Sequence, residues 1–277
     1  FGENGGDGGG INPGVGQGGA QDFGQFREIL LNGDIPGPET IDDVGFFNEH
    51  KIELPGAECG ENVCLHGQLG VMGNMINGSN CTVVLMGLNS PIDPEELERP
   101  PLNLAIAVDV SGSMGGEPIQ YVREGLHRMA DSLHPEDVVS IVAFSSDAEA
   151  VVEYASGDSE ELLAAIDNLQ ADGATNIYSG LREAYDVVAL HAEAGLQNRV
   201  ILLSDGLATE GITSDAKIQD MSAAYNEIGY GLTTIGVGTD FDVELMRSLS
   251  EQGAGAFYFL EDPQAVDEVF VEEANSF

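Results

Sequence analysis

From Leu102 onward, short, mainly apolar runs alternate with longer amphipathic stretches, and this alternation restricts the fold more than any other feature of the chain. The apolar runs are Leu104-Ala105-Ile106-Ala107-Val108, Val138-Val139-Ser140-Ile141-Val142-Ala143-Phe144, Val200-Ile201-Leu202-Leu203 after Arg199, Leu232 to Val237 and Ala256 to Leu260. Runs of this length, mainly apolar and without a regular apolar–polar alternation, are strands buried on both faces. The stretches between them carry apolar residues at helical spacing: Ile119 to Leu133, Ser159 to Leu169, Ile177 to His191, Ala216 to Ile228, Val243 to Leu249 and a last one at Pro263 to Glu273. Val151 to Tyr154 reads as a short edge strand. Strands that alternate with helices predict an α/β fold, a doubly wound and mostly parallel sheet with helices on both faces. No repeat at solenoid spacing interrupts the pattern.

The preceding residues follow a different rhythm. Residues 1–21 are glycine-rich, as in Gly5-Gly6-Asp7-Gly8-Gly9-Gly10, and bury too little apolar surface to order themselves, so they read as a flexible tether. Residues 22–100 form a small extension: a helix over Asp22 to Leu31, a breaker at Ile35-Pro36-Gly37-Pro38, and two strand-like stretches, Cys64 to Val71 and Cys81 to Met86. The turn-rich Asn77-Gly78-Ser79-Asn80 joins these stretches as a β-hairpin. Residues 101–277 are the main domain. Of the three cysteines, either Cys59 or Cys81 can pair with Cys64, and the odd count leaves a thiol over. A disulfide places the chain outside the cytoplasm, secreted or anchored at a cell surface. A start at Phe1 rather than Met fits a processed or trimmed precursor.

Charge narrows the partners. Nine Lys and Arg stand against 48 Asp and Glu, a net charge of −39. Such a surface repels nucleic acid and anionic lipid, attracts cations, and stays hydrated in a salty medium. No stretch approaches the roughly 20 apolar residues that a membrane-crossing helix needs, so no direct membrane insertion of this chain is expected.

Three polar features fall beside strand ends or helix starts of the main domain: Asp109-Val110-Ser111-Gly112-Ser113, Gly173-Ala174-Thr175-Asn176, and Ser204-Asp205-Gly206. In a doubly wound sheet, ligands bind at the carboxyl ends of the strands. An Asp-x-Ser-x-Ser turn converges one carboxylate and two hydroxyls on one point. Thr175 adds a hydroxyl and Asp205 a second carboxylate. An all-oxygen set suits a hard cation, Mg2+ or Ca2+, with Mn2+ as a further candidate. Two carboxylates and three hydroxyls leave a divalent ion electrophilic, ready to accept water or a carboxylate from outside.

These residues resemble the metal-ion-dependent adhesion site (MIDAS) of the von Willebrand factor type A (VWA) family, with Asp109-x-Ser111-x-Ser113, then Thr175, then Asp205 matching in order. Gly173-Ala174-Thr175-Asn176-Ile177 is similar to the family's GGTNI loop and Leu203-Ser204-Asp205-Gly206 to its TDG turn. The resemblance covers about residues 102–277. It implies a Rossmann-like VWA fold in which Asp109, Ser111 and Ser113 bind the metal directly, and Thr175 and Asp205 bind directly or through water. It implies a protein ligand that offers an Asp or Glu carboxylate, and no catalysis. The segment Phe26 to Leu54, with Asn32-Gly33-Asp34-Ile35-Pro36-Gly37-Pro38 and Val44-Gly45-Phe46-Phe47-Asn48, resembles the extension of some secreted or lipid-anchored bacterial VWA proteins; this implies that the strands between Ile52 and Leu88 belong to a second module, in which case a continuation beyond Phe277 is expected.

Two other function classes are weaker. Some VWA relatives are structural subunits of chelatase-like assemblies, but the glycine-rich start and a disulfide argue against a cytosolic machine. A metal-dependent hydrolase of the DxDxT kind needs a second acid where this chain has Ser111. None of His50, His66, His127, His134 and His191 lies in a triad motif, and Gly236-Val237-Gly238 lacks the further glycines of a dinucleotide site and reads as a turn.

Overall fold

A computed structural model describes residues 29–37, 54–73, 78, 80–92, 99–238 and 241–260. The chain divides into two compact units, one of residues His50–Arg99 and one of the remaining residues.

In the large unit, β3 (Leu102–Asp109), β4 (Val138–Phe144), β5 (Ala148–Ser156), β6 (Gln197–Ser204), β7 (Gly231–Val237) and β8 (Ala254–Leu260) form one sheet in the order β5-β4-β3-β6-β7-β8. All neighbours are parallel except β5, which runs antiparallel to β4 at the edge. The expected doubly wound, mostly parallel α/β fold is therefore present. The edge strand is longer than Val151 to Tyr154, because only its half-exposed centre is apolar enough to be read from sequence.

Among the described residues five helices wrap the sheet: α1 (Glu117–Ser132), α2 (Glu160–Asp167), α3 (Ile177–Leu190), α4 (Asp215–Asn226) and α5 (Val243–Gln252). Strand alternation divides β3 between two cores. Leu104, Ile106 and Val108 face the cluster that holds Val122, Leu126 and Met129 of α1 and Leu162 and Ile166 of α2. Ala105 and Ala107 face the cluster that holds Leu181, Ala184 and Tyr185 of α3 and Leu245, Met246 and Leu249 of α5. Both faces are covered, as continuous apolar strands require. The predicted helix at Pro263 to Glu273 and the glycine-rich tether lie outside the described residues. Of the helix expected over Asp22 to Leu31, only Ile29–Leu31 are described, and they are helical.

In the small unit, β1 (Cys64–Gly73) and β2 (Asn80–Asn89) pair antiparallel as the expected hairpin. Cys59 and Cys64 form the disulfide, and Cys81 is an exposed free thiol. Gly236 and Val237 belong to β7, so of the three residues read as a turn only Gly238 leaves the strand, at φ +71°.

Candidate metal centre

β3 is the pivot of the sheet, with β4 on one side and β6 on the other. The register pairs Val108 with Leu203, so Asp109 and Ser204 leave their strands side by side. The Asp109 carboxylate is fully buried, accepting from the Ser111 amide at Oδ1 (2.8 Å) and from the Ser204 hydroxyl at Oδ2 (2.6 Å). Both donors are neutral, so neither cancels its charge. Burial pushes the Asp109 carboxyl above the usual carboxylate range, against the opposing hydrogen bonds from Ser204 and Ser111.

Beyond Asp109 the chain turns through a 3-10 segment, Gly112–Met114, pinned by the buried Met114 in the α1 core. The turn brings Ser111 Oγ to 3.0 Å from Ser113 Oγ, and Ser113 Oγ donates to Asp205 Oδ1 at 2.8 Å. Asp205 directly follows β6 and is 8% exposed.

Thr175 reaches the same place from the loop before α3. Gly173, at φ +91°, turns that loop where a Cβ would stand 3.0 Å from Ser145 Oγ, a position and conformation that only glycine accepts without strain. The Gly173 carbonyl accepts from the Gly112 amide (3.0 Å), tying the two loops together. Asn176 caps α3 by accepting from the Ser179 amide, and its side-chain amide donates to the Ser146 carbonyl. The Thr175 amide donates to Thr209 Oγ1 (3.0 Å), while the Thr175 carbonyl accepts from the Thr209 and Glu210 amides (2.9 and 3.1 Å). A Cβ on Gly206 would stand 3.7 Å from Thr175 Oγ1 and 3.9 Å from Ser113 Oγ, so both hydroxyls face this glycine.

The structure thus gathers Asp109, Ser111, Ser113, Thr175 and Asp205 at the carboxyl end of β3 and β6. The donor set fits a hard divalent cation: every group is an oxygen, and among the described residues the buried Asp109 carboxylate has no charged hydrogen-bond donor. Among the described residues no three His, Cys, Asp or Glu side chains gather to hold an ion, so a cation here depends on the hydroxyls as well. Sequence reasoning gave no role to Ser204 and Thr209. A serine at a strand end carries no mark of its partner; only the β3–β6 register aims Ser204 at Asp109. The described histidines lie elsewhere: His66 bonds Asn89, His127 bonds Asp167, the His134 amide bonds Asp137, and His191 stacks on Tyr154.

Comparison with known proteins agrees with this architecture. Residues 103–272 match the family model described as von Willebrand factor type A domain. An uncharacterized Escherichia coli protein, YfbK, is 30% identical over 184 residues, covering 65% of this chain. The chain spans only 32% of that relative's length. Among solved structures, a von Willebrand factor type A protein from Catenulispora acidiphila superposes with a TM-score of 0.57 at 19% identity, over 70% of this chain and 44% of that one. The proximal thread matrix protein 1 of the mussel byssus, solved with a zinc-occupied MIDAS motif, superposes with a TM-score of 0.53 at 20% identity, over 64% of this chain and 46% of that one.

Proposed function

The chain belongs to the von Willebrand factor type A domain family, and from that premise we propose that it is a divalent-cation-dependent protein-binding module rather than an enzyme. Asp109, Ser111 and Ser113 hold Mg2+ or Ca2+ directly, with Thr175 and Asp205 completing the protein's share directly or through water. The bound cation supplies an electrophilic position for one Asp or Glu carboxylate of a protein partner. The chain's own residues prepare that position: Ser204 and the Ser111 amide orient Asp109, Ser113 links the first loop to Asp205, and Thr209 grips Thr175 on both sides of its peptide.

One observation carries this reading: a buried carboxylate, held among the described residues by neutral donors only, stands with a second carboxylate and three hydroxyls at the strand ends where α/β sheets bind ligands. Hydrolysis is the weaker reading, because Ser111 and Ser113 offer no general acid beside Asp109. The Cys59–Cys64 disulfide supports an extracytoplasmic setting, secreted or anchored at the surface. We assign residues 101–277 to the VWA domain, 22–100 to its extension and 1–21 to a tether.

Calorimetric titration with Mg2+ and Ca2+ at matched ionic strength tests the reading. One saturable site, lost in Asp109→Ala, is expected. Weak multi-site binding that the substitution leaves unchanged refutes it and assigns the ions to the acidic surface.

A further inference from the structure

Within the small unit, the hairpin presents an apolar face that no described residue of that unit covers. Cross-strand partners share a face, so the register Leu65–Leu88, Gly67–Met86, Leu69–Val84 and Val71–Thr82 defines one side of the ribbon. Leu65, Leu69, Val71, Val84, Met86 and Leu88 on that side are 61–76% exposed. The opposite side is covered at one end: Cys64 is buried, and a Cβ on Gly87 would collide with Leu54, which lies over it, whereas Val83 farther along is 48% exposed. The two strands, CLHGQLGVMG and NCTVVLMGLN, contain no Asp, Glu, Lys or Arg, although 21% of the whole chain is charged. An isolated two-stranded ribbon is marginal in water and needs a packed face to be stable.

We propose that this face is a dimer seat occupied by a second copy of the chain. Three observations favour a copy over a different partner. First, the charge-free strands are where two molecules of net charge −39 can meet with least repulsion. Second, the size suffices. Ten residues at about 3.4 Å each and two strands about 4.8 Å apart give a footprint of about 34 by 10 Å. With side-chain relief, two such faces together bury on the order of 1,000–1,200 Å², the lower edge of the range for specific association. Third, the relief is self-complementary. Met86, 76% exposed, is the most prominent side chain of the face, and its cross-strand partner Gly67 leaves open space where a side chain would stand. A two-fold axis parallel to the strands, midway between two facing hairpins, lays β1 of one copy over β2 of the other. Met86 of each copy then fills the notch above Gly67 of its partner, while Leu65 meets Leu88 and Leu69 meets Val84. The result is a small sandwich of aligned sheets, closed by its own symmetry.

Sedimentation velocity on the full 277-residue chain tests this, from about 1 μM to about 1 mM. EDTA removes the metal site from consideration, and about 1 M NaCl shortens the screening length to about 3 Å. A reversible monomer–dimer equilibrium is expected, weakened tenfold or more by Met86→Glu and also by Gly67→Leu, with far-ultraviolet circular dichroism unchanged. Gly67→Leu is the decisive variant, since it adds apolar surface while filling the notch. A Gly67→Leu chain that associates as strongly as the natural one shows unspecific adhesion and overturns the proposal. So does a chain that stays monomeric throughout, which leaves the face to a different partner, or one that grows without limit, which points to the open strand edges instead.

Discussion

Replacing Asp109 by Asn separates the roles of the buried carboxylate. The two side chains share a shape, so the Ser111 amide keeps its acceptor at Oδ1, while the new amide nitrogen donates to a Ser204 hydroxyl that now accepts. The charge disappears, and with it the main attraction for a cation. In the natural protein a divalent ion at 100 times its Kd stabilises the folded state by about 2.7 kcal/mol, because the unfolded chain does not assemble the site. For a domain of the matched size, residues 103–272, each kcal/mol raises Tm by about 2–4 °C. Saturating Mg2+ or Ca2+ is therefore expected to raise Tm by about 5–11 °C in the natural chain. In the variant only the small screening contribution remains, measured with NaCl at equal ionic strength. The metal-free proteins should differ in pH dependence as well. Burial raises the Asp109 carboxyl in the folded state, so its stabilising contribution is complete below the unfolded value, about 3.9, and is lost as pH rises through the folded one. The variant lacks this loss. Its metal-free Tm should gain on that of the natural chain as pH is raised from about 3 toward neutrality. Thermal unfolding followed by circular dichroism reads both quantities. An Asn variant with an undiminished metal-induced shift, or one that loses ground as pH rises, refutes the role given to Asp109.

Ser204→Ala removes the hydroxyl that holds Asp109 Oδ2 and is expected to weaken divalent binding about 10- to 100-fold. Calorimetry measures this, and recovery in Ser204→Thr separates the hydroxyl from mere packing. Gly180→Ala tests how α3 is seated. The added methyl would stand 2.5 Å from Cδ1 of the fully buried Phe144 on β4, so α3 must shift or Phe144 must leave its rotamer. A loss of about 1–3 kcal/mol is expected, visible as a lower urea midpoint. Because Thr175 and the cap Asn176 directly precede α3, metal affinity should fall with it.

Much of this protein is determined locally and can be read from the chain alone. Uniform apolar runs such as Leu104 to Val108 must be covered on both faces, and only a sheet between two helical layers does that. Helix spacing follows from the 3.6-residue period, and the Asp109-Ser111-Ser113 turn needs no distant residue to place two hydroxyls beside a carboxylate. The hairpin was legible too, since Asn77-Gly78-Ser79-Asn80 separates two β-rich stretches. Alternation along a strand states which residues share a face but not which strand lies beside which, and the remainder depended on that order. The β3–β6 register alone brings Ser204 to Asp109. Likewise, the packing of the loop after β6 against the loop before α3 brings Thr209 to Thr175, residues 34 apart in the chain. The choice between Cys59 and Cys81 as partner of Cys64 was equally open until the fold placed Cys81 on β2, at the far end of the ribbon from Cys64. The types of oxygen donor at the candidate site are a property of the sequence; the convergence of those donors, and the neighbours that hold them, belong to the tertiary structure, because hydrogen bonds between elements form only after sheet order has set which ends meet.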